Sequence, residues 1–549
     1  MYYGSMGPLD VLASGAADAG FTATAATASL GDNPLAIAAD TTLQILDPAT
    51  PGDEPAAGTA YMIASDSGIY IWESGGTWAT QLDSLGDPLA SVTGLSVAAG
   101  TTLTLELNYT TYARIDLSND IDNAGTITTA DASATQRGPL DMYMASYIGS
   151  GAIDTSGSAD GQAGGDIDFY SDYSFISSGT INSAGADSAT ADAGGGGDVY
   201  ISVDYNIENT GTITTSGGAA TGSAGNGGSA GYIELYAYYA VKNSGDLTAS
   251  GGDGIDATGS GSGGSGGDFE IEADYDDYPM GQRVALLGYE DGITTGGGDG
   301  NYGGDAGDVD LYCDYGYSDT GIYTPGCNIT NEVAITGRGG NVVTGATTTP
   351  ADGGDGASVD IETEDSYGMF DSQLDHVVNS GAIDVSGGAS LASTTSTSGD
   401  AGNVWIWGYN SVTNSGAITA VGGDDPDTNG GTDGYGNRGG YIELYSELGP
   451  VENSGALTSD GGDGEYRGGD AEWIGLFGPT VVNSGVLSAN GGNADAALAG
   501  SVGGDGDDVE LFAPGGISDV SNTGSATNAG GTGETAGDDG DYIVGGLLM

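Results

Sequence analysis

Short segments in which apolar and polar residues alternate recur along most of the chain. One of them places Val199, Ile201 and Val203 on a single face, as expected for a β-strand with one buried side. A second, shorter apolar segment follows an Asn-Ser/Thr-Gly corner, and a Gly-rich loop comes before the next alternating segment. From Gly125 to Gly524 this unit recurs about every 36 residues, which is typical of a solenoid. We predict an all-β fold, a right-handed parallel β-helix (β-solenoid) of about eleven or twelve coils with a small N-terminal β-meander domain.

An Asn residue stands two positions before most of the corner glycines. Asn and Gly tolerate the left-handed backbone conformation, which we expect the sharp corner to need. Coils stacked about 4.8 Å apart would align the Asn amides into a ladder of hydrogen bonds. A structural role therefore explains why these Asn residues recur. They are Asn209, Asn243, Asn379, Asn414, Asn453, Asn483 and Asn522.

The repeats do not begin at the first residue, and the earlier part of the chain differs in pattern. Residues 1–40 are Ala-rich and fit an N-terminal arm or attachment segment. Residues 41–85 hold short strands separated by Gly turns, which predicts a small β-meander module. We interpret residues 86–122 as the solenoid cap with its first strands, and residues 123–549 as the parallel β-helix repeats.

The charge of the chain limits its partners. The 549 residues include 78 Asp and Glu but only 7 Lys and Arg, so the formal net charge is -71. Such a surface repels nucleic acid and anionic membranes, because binding them requires Lys and Arg to displace counterions. We expect no nucleic acid partner and no membrane insertion. The sequence has no apolar run long enough to span a membrane and no recognisable signal peptide at its start.

Like charges stacked at strand spacing cost stability, so we expect cations to screen them. Calcium suits sites made only of oxygen ligands, and the Gly/Asp loops offer carboxylates beside backbone carbonyls. Two loops match the start of a calcium-binding nonapeptide without tandem copies. A solvated acidic surface in salty surroundings is the alternative. The candidate residues for structural Ca²⁺ are Asp253, Asp256, Asp299, Asp305, Asp308, Asp463, Asp470, Asp505, Asp507 and Asp508.

Few residues in the sequence point to catalysis. His376 is the only histidine, so no His-dependent triad or metal cluster can form from several histidines. Pairs of carboxylates could cleave glycosidic bonds, but among 78 acids such pairs arise by chance. We predict no enzymatic activity and no catalytic residue. Cys313 and Cys327 lie in a long repeat, and we expect either a disulfide or two free thiols.

Aromatic residues occupy several outward positions of the alternating segments. Outward rings on a rigid β surface bind sugar rings or pack against another subunit, and the sequence leaves both open. The predicted contact residues are Tyr236, Tyr312, Trp405, Trp407 and Tyr445.

Two parts of the sequence resemble known families. The unit that starts at residues 453–457 (Asn-Ser-Gly-Ala-Leu) and reaches Gly469-Asp470 resembles the β-helix repeats of haemagglutinin-like bacterial surface proteins, over residues 120–545. Residues 58–63 (Gly-Thr-Ala-Tyr-Met-Ile), 68–73 (Gly-Ile-Tyr-Ile-Trp-Glu) and 75–78 (Gly-Gly-Thr-Trp) look like a small module of bacteriophage tail and fibre proteins. The charge of -71 is not explained by either resemblance.

Together the resemblances imply a non-enzymatic structural or adhesive rod, a phage virion fibre or tail-associated protein on the virion surface. It would engage other virion or filament subunits, host-surface glycans and further copies of itself as a homo-oligomer. A secreted bacterial or archaeal surface adhesin or filament subunit, located outside the cell or on its surface, is the alternative. A polysaccharide-degrading tailspike is the second alternative.

Overall fold

The computed structural model shows a parallel β-helix, which confirms the predicted fold class. The described residues are 28–46, 59–63, 68–71, 92–107, 112–222, 225–254, 261–275, 283–287, 292–315, 327–343, 352–363, 375–390, 397–426 and 434–545. Within them the strands form three long sheets, and successive coils add one strand to each sheet. Asp256, residues 1–27 of the predicted arm and residues 47–58, 64–67 and 72–85 of the predicted meander lie outside the described residues.

The first sheet, called the long-strand sheet, contains 13 strands in the described residues. Its strands are Ala113–Asp116, Leu140–Met144, Ile167–Ser171, Val199–Val203, Ile233–Ala237, Phe269–Tyr275, Val309–Tyr315, Val359–Thr363, Val404–Gly408, Ile442–Ser446, Ile474–Phe477, Val509–Phe512 and Tyr542–Val544.

The second, called the middle sheet, contains 14 strands in the same part of the chain. Its strands are Pro34–Ile37, Gly94–Val97, Ile121–Asn123, Tyr147–Gly149, Ser174–Ser177, Asn206–Asn209, Ala240–Asn243, Arg283–Leu286, Asn328–Asn331, His376–Asn379, Ser411–Asn414, Pro450–Asn453, Thr480–Asn483 and Val520–Asn522.

The third, called the short-strand sheet, contains 16 described strands. Its strands are Thr41–Leu46, Ala60–Ile63, Ile69–Ile71, Thr102–Glu106, Thr126–Thr129, Ala152–Asp154, Ile181–Asn182, Ile213–Thr214, Leu247–Thr248, Ile293–Thr294, Ile335–Thr336, Ile383–Asp384, Ile418–Thr419, Leu457–Thr458, Leu487–Ser488 and Ala526–Thr527. Outside the three sheets, Asp131–Ser133 pairs with Gln136–Arg137, and Ile517–Asp519 forms one 3₁₀ turn. No described helix is long and apolar enough to cross a membrane.

The register shows that one sequence repeat makes one coil. Val199 is paired with Ile233, and Ile233 with Phe269, so equivalent residues of successive repeats are direct neighbours. The inward positions of the strand are almost fully buried, and one apolar core runs through the stack. Near its N-terminal end, Tyr147, Phe169 and Phe175 fill that core with ring centroids 4.9–5.2 Å apart.

Stacking extends to the N-terminal side of the boundary that we placed at residue 86. Pro34–Ile37 is parallel to Gly94–Val97, and Thr41–Leu46 lies between Thr102–Glu106 and Ala60–Ile63. Ala60–Ile63 then pairs with Ile69–Ile71 in the antiparallel direction. The described part of the predicted meander is therefore continuous with the short-strand sheet.

The corner asparagines form the predicted ladder. The side-chain amide of Asn414 donates to Oδ1 of Asn453 at 2.8 Å and accepts from Nδ2 of Asn379 at 2.7 Å. The same amide donates to the carbonyl of Gly416 at 3.0 Å, within its own corner. These side chains are buried, so each one needs the partners that the adjacent coils supply.

Our reason for the corner glycines was wrong. Of the predicted corner glycines only Gly292 has a positive φ, of 104°. The others are required by close approach, because a Cβ built at Gly211 would overlap the carbonyl oxygen of Gly179 in the preceding coil. The corner glycines thus let successive corners stack directly on each other.

The Gly-rich loops form an ordered layer beside the three sheets, called here the glycine layer. In the coils from the short strand Ala152–Asp154 onward, an outgoing run, such as residues 216–220, leaves the short strand, and a return run, such as residues 227–231, leads to the next long strand. The N–H of Gly228 donates to the carbonyl of Gly218 in the same coil at 2.9 Å. The N–H of Gly252 donates to Gly228 across the coil boundary at 2.8 Å.

Hydrogen bonds also run along the rod within each half of the glycine layer. The N–H of Gly217 donates to Ser250 in the next outgoing run at 3.0 Å, and that of Gly227 donates to Ser262 in the next return run at 2.9 Å. A Cβ at Gly228 would overlap the carbonyl of Gly194. The loops are therefore held by main-chain bonds at a separation that only glycine allows.

Candidate functional site: an aromatic patch on an acidic rod

Most of the loop carboxylates bond to the main chain of the next coil. Oδ1 of Asp305 accepts the N–H of Asp355 at 2.9 Å, and Oδ1 of Asp355 accepts the N–H of Asp400 at 2.8 Å. Asn takes the same role at Asn403, whose Oδ1 accepts the N–H of Tyr441 at 3.0 Å. These ladders satisfy backbone donors that the turns of the glycine layer leave without a main-chain partner.

The predicted calcium residues belong largely to these ladders. Eight of them accept an N–H from the following coil at 2.7–3.0 Å. These eight are Asp253, Asp299, Asp305, Asp308, Asp463, Asp470, Asp505 and Asp508. Asp507 accepts the N–H of Asp508 at 2.6 Å. The described residues contain no group of three or more His, Cys, Asp or Glu side chains arranged to hold a metal ion. Calcium binding therefore stays a prediction, and the carboxylates have a structural role without it.

Other carboxylates stack on the outer face of the long-strand sheet. Asp141 is paired with Asp168, and Glu234 with Glu270. Burial, together with the charges of Asp141, Asp166 and Asp198, raises the pKa of Asp168 to about 6. Burial likewise raises the pKa of Glu234. These carboxyl groups of the outer face therefore keep their protons to a higher pH than an isolated carboxyl group does.

Aromatic rings also stack on this outer face. Tyr143, Tyr170 and Tyr200 form one row beside the carboxylates, with ring centroids 4.6 and 5.4 Å apart. A second set lies nearer the C-terminus, and we call it the aromatic patch. It covers the four coils whose long strands are Val404–Gly408, Ile442–Ser446, Ile474–Phe477 and Val509–Phe512. All its rings are partly buried. The rings belong to Trp405, Trp407, Tyr441, Tyr445, Trp473, Phe477 and Phe512.

The register brings these rings together. Trp407, Tyr445, Phe477 and Phe512 are paired one after another in four successive strands. Ring centroids lie 5.7 Å apart for Trp407 and Tyr445, and 6.2 Å apart for Phe477 and Phe512. Strand alternation alone places them on the same side of the sheet.

A second row of rings lies beside the first. Trp405 and Tyr441 meet edge to face with centroids 4.5 Å apart, and Tyr441 is followed by Trp473 at 6.3 Å. Trp473 reaches Phe477 at 5.3 Å over Gly475, where a Cβ would overlap both rings. Gly475 thus joins the two rows into one surface.

Carboxylates border a cavity of about 380 Å³ at one end of the aromatic patch. Trp405 is paired with Asp360 on one side and with Glu443 on the other. Trp407 is paired with Glu362 in the preceding coil. Burial raises the pKa of both Asp360 and Glu443. The cavity combines flat apolar rings with hydrogen-bonding carboxyl groups.

The structure separates the predicted aromatic contacts into two sets. Trp405, Trp407 and Tyr445 line the same cavity. Tyr236 and Tyr312 are both paired with Glu272, which lies between them, so they do not continue the patch. Sequence reasoning missed four contact residues: Phe477, Phe512, Tyr441 and Trp473. Tyr441 and Trp473 have a positional signal, since each directly precedes a long strand where many coils have Asp.

The remaining predicted residues occupy structural positions. Cys313 and Cys327 are joined in a disulfide, with Cα atoms 5.9 Å apart, and both are buried. His376 lies in the middle sheet, and its Nδ1 is 2.7 Å from Oγ of Ser411 in the next coil. The histidine thus links two coils.

Comparison with protein-family models, with curated proteins and with solved structures gave no match for this chain.

Proposed function

We propose that this protein is a non-enzymatic structural and adhesive rod, a fibre or tail-associated component on the surface of a phage virion. The observation that carries the proposal is the unbroken register of the three sheets, which makes a rigid body about 60 Å long at a strand spacing of about 4.8 Å. The aromatic patch lies on the side of that body where carboxylates stack. A stiff rod with a distinct lateral surface suits attachment to a partner.

The network of ladders supports a mechanical role. Asn amides, Asp carboxylates and glycine carbonyls each connect one coil to the next along the rod. A pulling force along the axis is therefore shared among many parallel hydrogen bonds. Most of the polar chemistry of the coil is used in holding the rod together.

A secreted bacterial or archaeal adhesin or filament subunit would use the same rod and patch. The resemblance of residues 58–78 to a phage tail and fibre module favours the virion over the adhesin. Immunogold electron microscopy with antibodies to the whole chain distinguishes the two. The proposal expects label on purified virions, whereas label only on the producing cells or on shed filaments would contradict the virion assignment.

The third possibility, a polysaccharide-degrading tailspike, differs in its chemistry. The full-length protein should release no reducing ends from any polysaccharide in a broad panel during prolonged incubation. Progressive release that is lost when the protein is heat-denatured would overturn the non-enzymatic proposal. The same assay with Asp360→Asn and Glu443→Gln would then show whether the two acids that flank Trp405 carry the activity.

A further inference from the structure

We propose that the aromatic patch binds an uncharged, extended polysaccharide, with the sugar rings stacked on its two rows of aromatic side chains. This inference rests on the proposed adhesive function and names the ligand of that surface. It follows from the dimensions of the patch, the charge around it and the hydrogen-bonding groups at the cavity.

The dimensions favour a polymer over a small molecule. Four consecutive coils supply rings, so the patch extends over three strand spacings, or about 14 Å along the rod. The row from Trp407 to Phe512 follows this direction. Several sugar rings of an extended chain can lie along it, each presenting an apolar face to an aromatic ring.

The charge excludes most other occupants. A second copy of the chain also carries a net charge of -71, and its docking here would bury Glu443 and Asp360 against another acidic surface without compensating cations. Anionic polysaccharides meet the same repulsion. A cationic polymer is attracted to acidic positions along the whole rod, so it has no need of the aromatic rings.

The polar groups of the cavity match hydroxyl groups. Carboxyl groups of Asp360, Glu362 and Glu443 border the rings, and a carboxylate accepts hydrogen bonds from neutral hydroxyls without requiring a counter-charge. Nε1 of Trp407 is buried without a hydrogen-bond partner in the described residues. Because this N–H is closed to solvent, a sugar hydroxyl could accept from it only after the indole ring shifts.

The binding experiment uses the full chain and immobilised polysaccharides of three kinds: neutral glucans, galactans and mannans; anionic alginate and heparin; and cationic chitosan. The proposal expects retention on at least one neutral polymer, unchanged between about 0.1 and 0.5 M NaCl, where surface electrostatics are screened. Absence of retention on every neutral polymer, or retention that is confined to chitosan and lost in salt, would overturn it.

Variants then locate the site. Trp407→Ala and Trp405→Ala should each raise the Kd for the retained polymer at least about tenfold, as expected for central aromatic anchors. Tyr236→Ala is the matched control, because Tyr236 has the same outward position in a distant coil, between Ser202 and Glu272, and its loss should change the Kd less than about twofold. The assignment would be contradicted if all three variants raised the Kd equally, or if none of them raised it.

Two further readouts separate the possible failures. Sedimentation of the parent chain should show no self-association that depends on Trp407. If the chain self-associated and Trp407→Ala abolished this, a second copy of the chain would be the occupant of the patch. Reducing-end release in the binding samples would contradict the non-enzymatic function but leave the binding site in place. If the parent chain bound no neutral polymer and released no reducing ends, the proposed binding site would be wrong, but the proposal of a non-enzymatic rod would stand.

Discussion

The three sheets and the glycine layer repeat with the same period, yet different forces hold them. In the sheets, Leu235 and its equivalents bury aliphatic side chains in one continuous core. In the glycine layer, runs such as residues 216–220 and 227–231 contribute main-chain hydrogen bonds and hardly any side chains. The first region depends on burying apolar area, and the second depends on the absence of side chains.

This difference determines which substitutions each region tolerates. A core position accepts another apolar residue of similar volume at modest cost. A glycine whose Cβ would overlap a carbonyl oxygen accepts no other residue without moving the neighbouring run. The rod therefore has a tolerant interior beside a layer that is strict in composition, and the glycine content of 107 residues reflects that layer and the corners.

The largest expected effect comes from adding one methyl group to the glycine layer. At Gly194 a Cβ would overlap the carbonyl of Gln162, whereas at Gly195 the nearest atom is the carbonyl oxygen of Ser229 at 3.3 Å. Gly194→Ala should lower the free energy of unfolding by more than about 3 kcal/mol, and Gly195→Ala by less than about 1 kcal/mol. Urea unfolding at fixed ionic strength measures both, and similar losses would contradict the close packing of the layer.

The Asn ladder should respond less strongly. Asn414→Ala removes bonds to Asn379, Asn453 and Gly416 and leaves buried groups without partners, which should cost about 2 kcal/mol. Asn522 is the last described rung and is partly exposed, so Asn522→Ala should cost less than about 1 kcal/mol. The same urea titration compares them; a larger loss at Asn522 would contradict the ladder as a buried, cooperative feature.

The Asp ladders give a test that distinguishes main-chain bonding from calcium binding. Oδ1 of Asp508 accepts the N–H of Asp541 at 2.7 Å, and Asn403 has the same role in another coil. Asp508→Asn should preserve stability, whereas Asp508→Ala should lose about 1 kcal/mol. Melting curves are recorded with and without EDTA at constant ionic strength. A drop in Tm caused by EDTA in the parent but not in Asp508→Asn would show that the carboxylate holds calcium.

The smallest effect concerns pH. Because the pKa of Asp168 is raised to about 6 in the folded protein, ionisation destabilises the folded state at neutral pH. The free energy of unfolding should therefore rise as pH falls from about 7 to about 5, where the unfolded carboxyl group is still ionised. Asp168→Asn should add at most about 1 kcal/mol at pH 7 after solvent screening and reduce the pH slope; an unchanged slope would contradict the assignment.

The sequence predicted those parts of the fold that depend on side-chain pattern. Alternation at Val199, Ile201 and Val203 identified the buried face, and the recurrent corner asparagines identified their ladder. It could not predict the glycine layer. Hydrogen bonds such as Gly228 to Gly218 join main-chain groups that every residue possesses, so they leave no alternating pattern in the sequence.

The candidate site was predictable only in part, for a related reason. Trp405, Trp407 and Tyr445 were evident as outward rings in neighbouring long strands. Trp473 meets Phe477 across Gly475, and this contact depends on how side chains lean over a residue without a Cβ. We predicted the loop carboxylates to be calcium ligands. Their bonds to backbone N–H groups of the next coil can be recognised only when the register of the coils is known.

Amide hydrogen exchange tests the central claim, that the glycine layer is as much a part of the rod as the sheets. Backbone NMR or mass-spectrometric exchange on the full chain compares Gly217, Gly218, Gly227 and Gly252, whose N–H groups donate to the adjacent coil, with the amides of Ile233–Ala237. Our account predicts protection of the glycine amides within about tenfold of the strand amides, since both open only when coils separate. Exchange of these glycines at the rate of an unstructured chain, while Ile233–Ala237 stays protected, would contradict it.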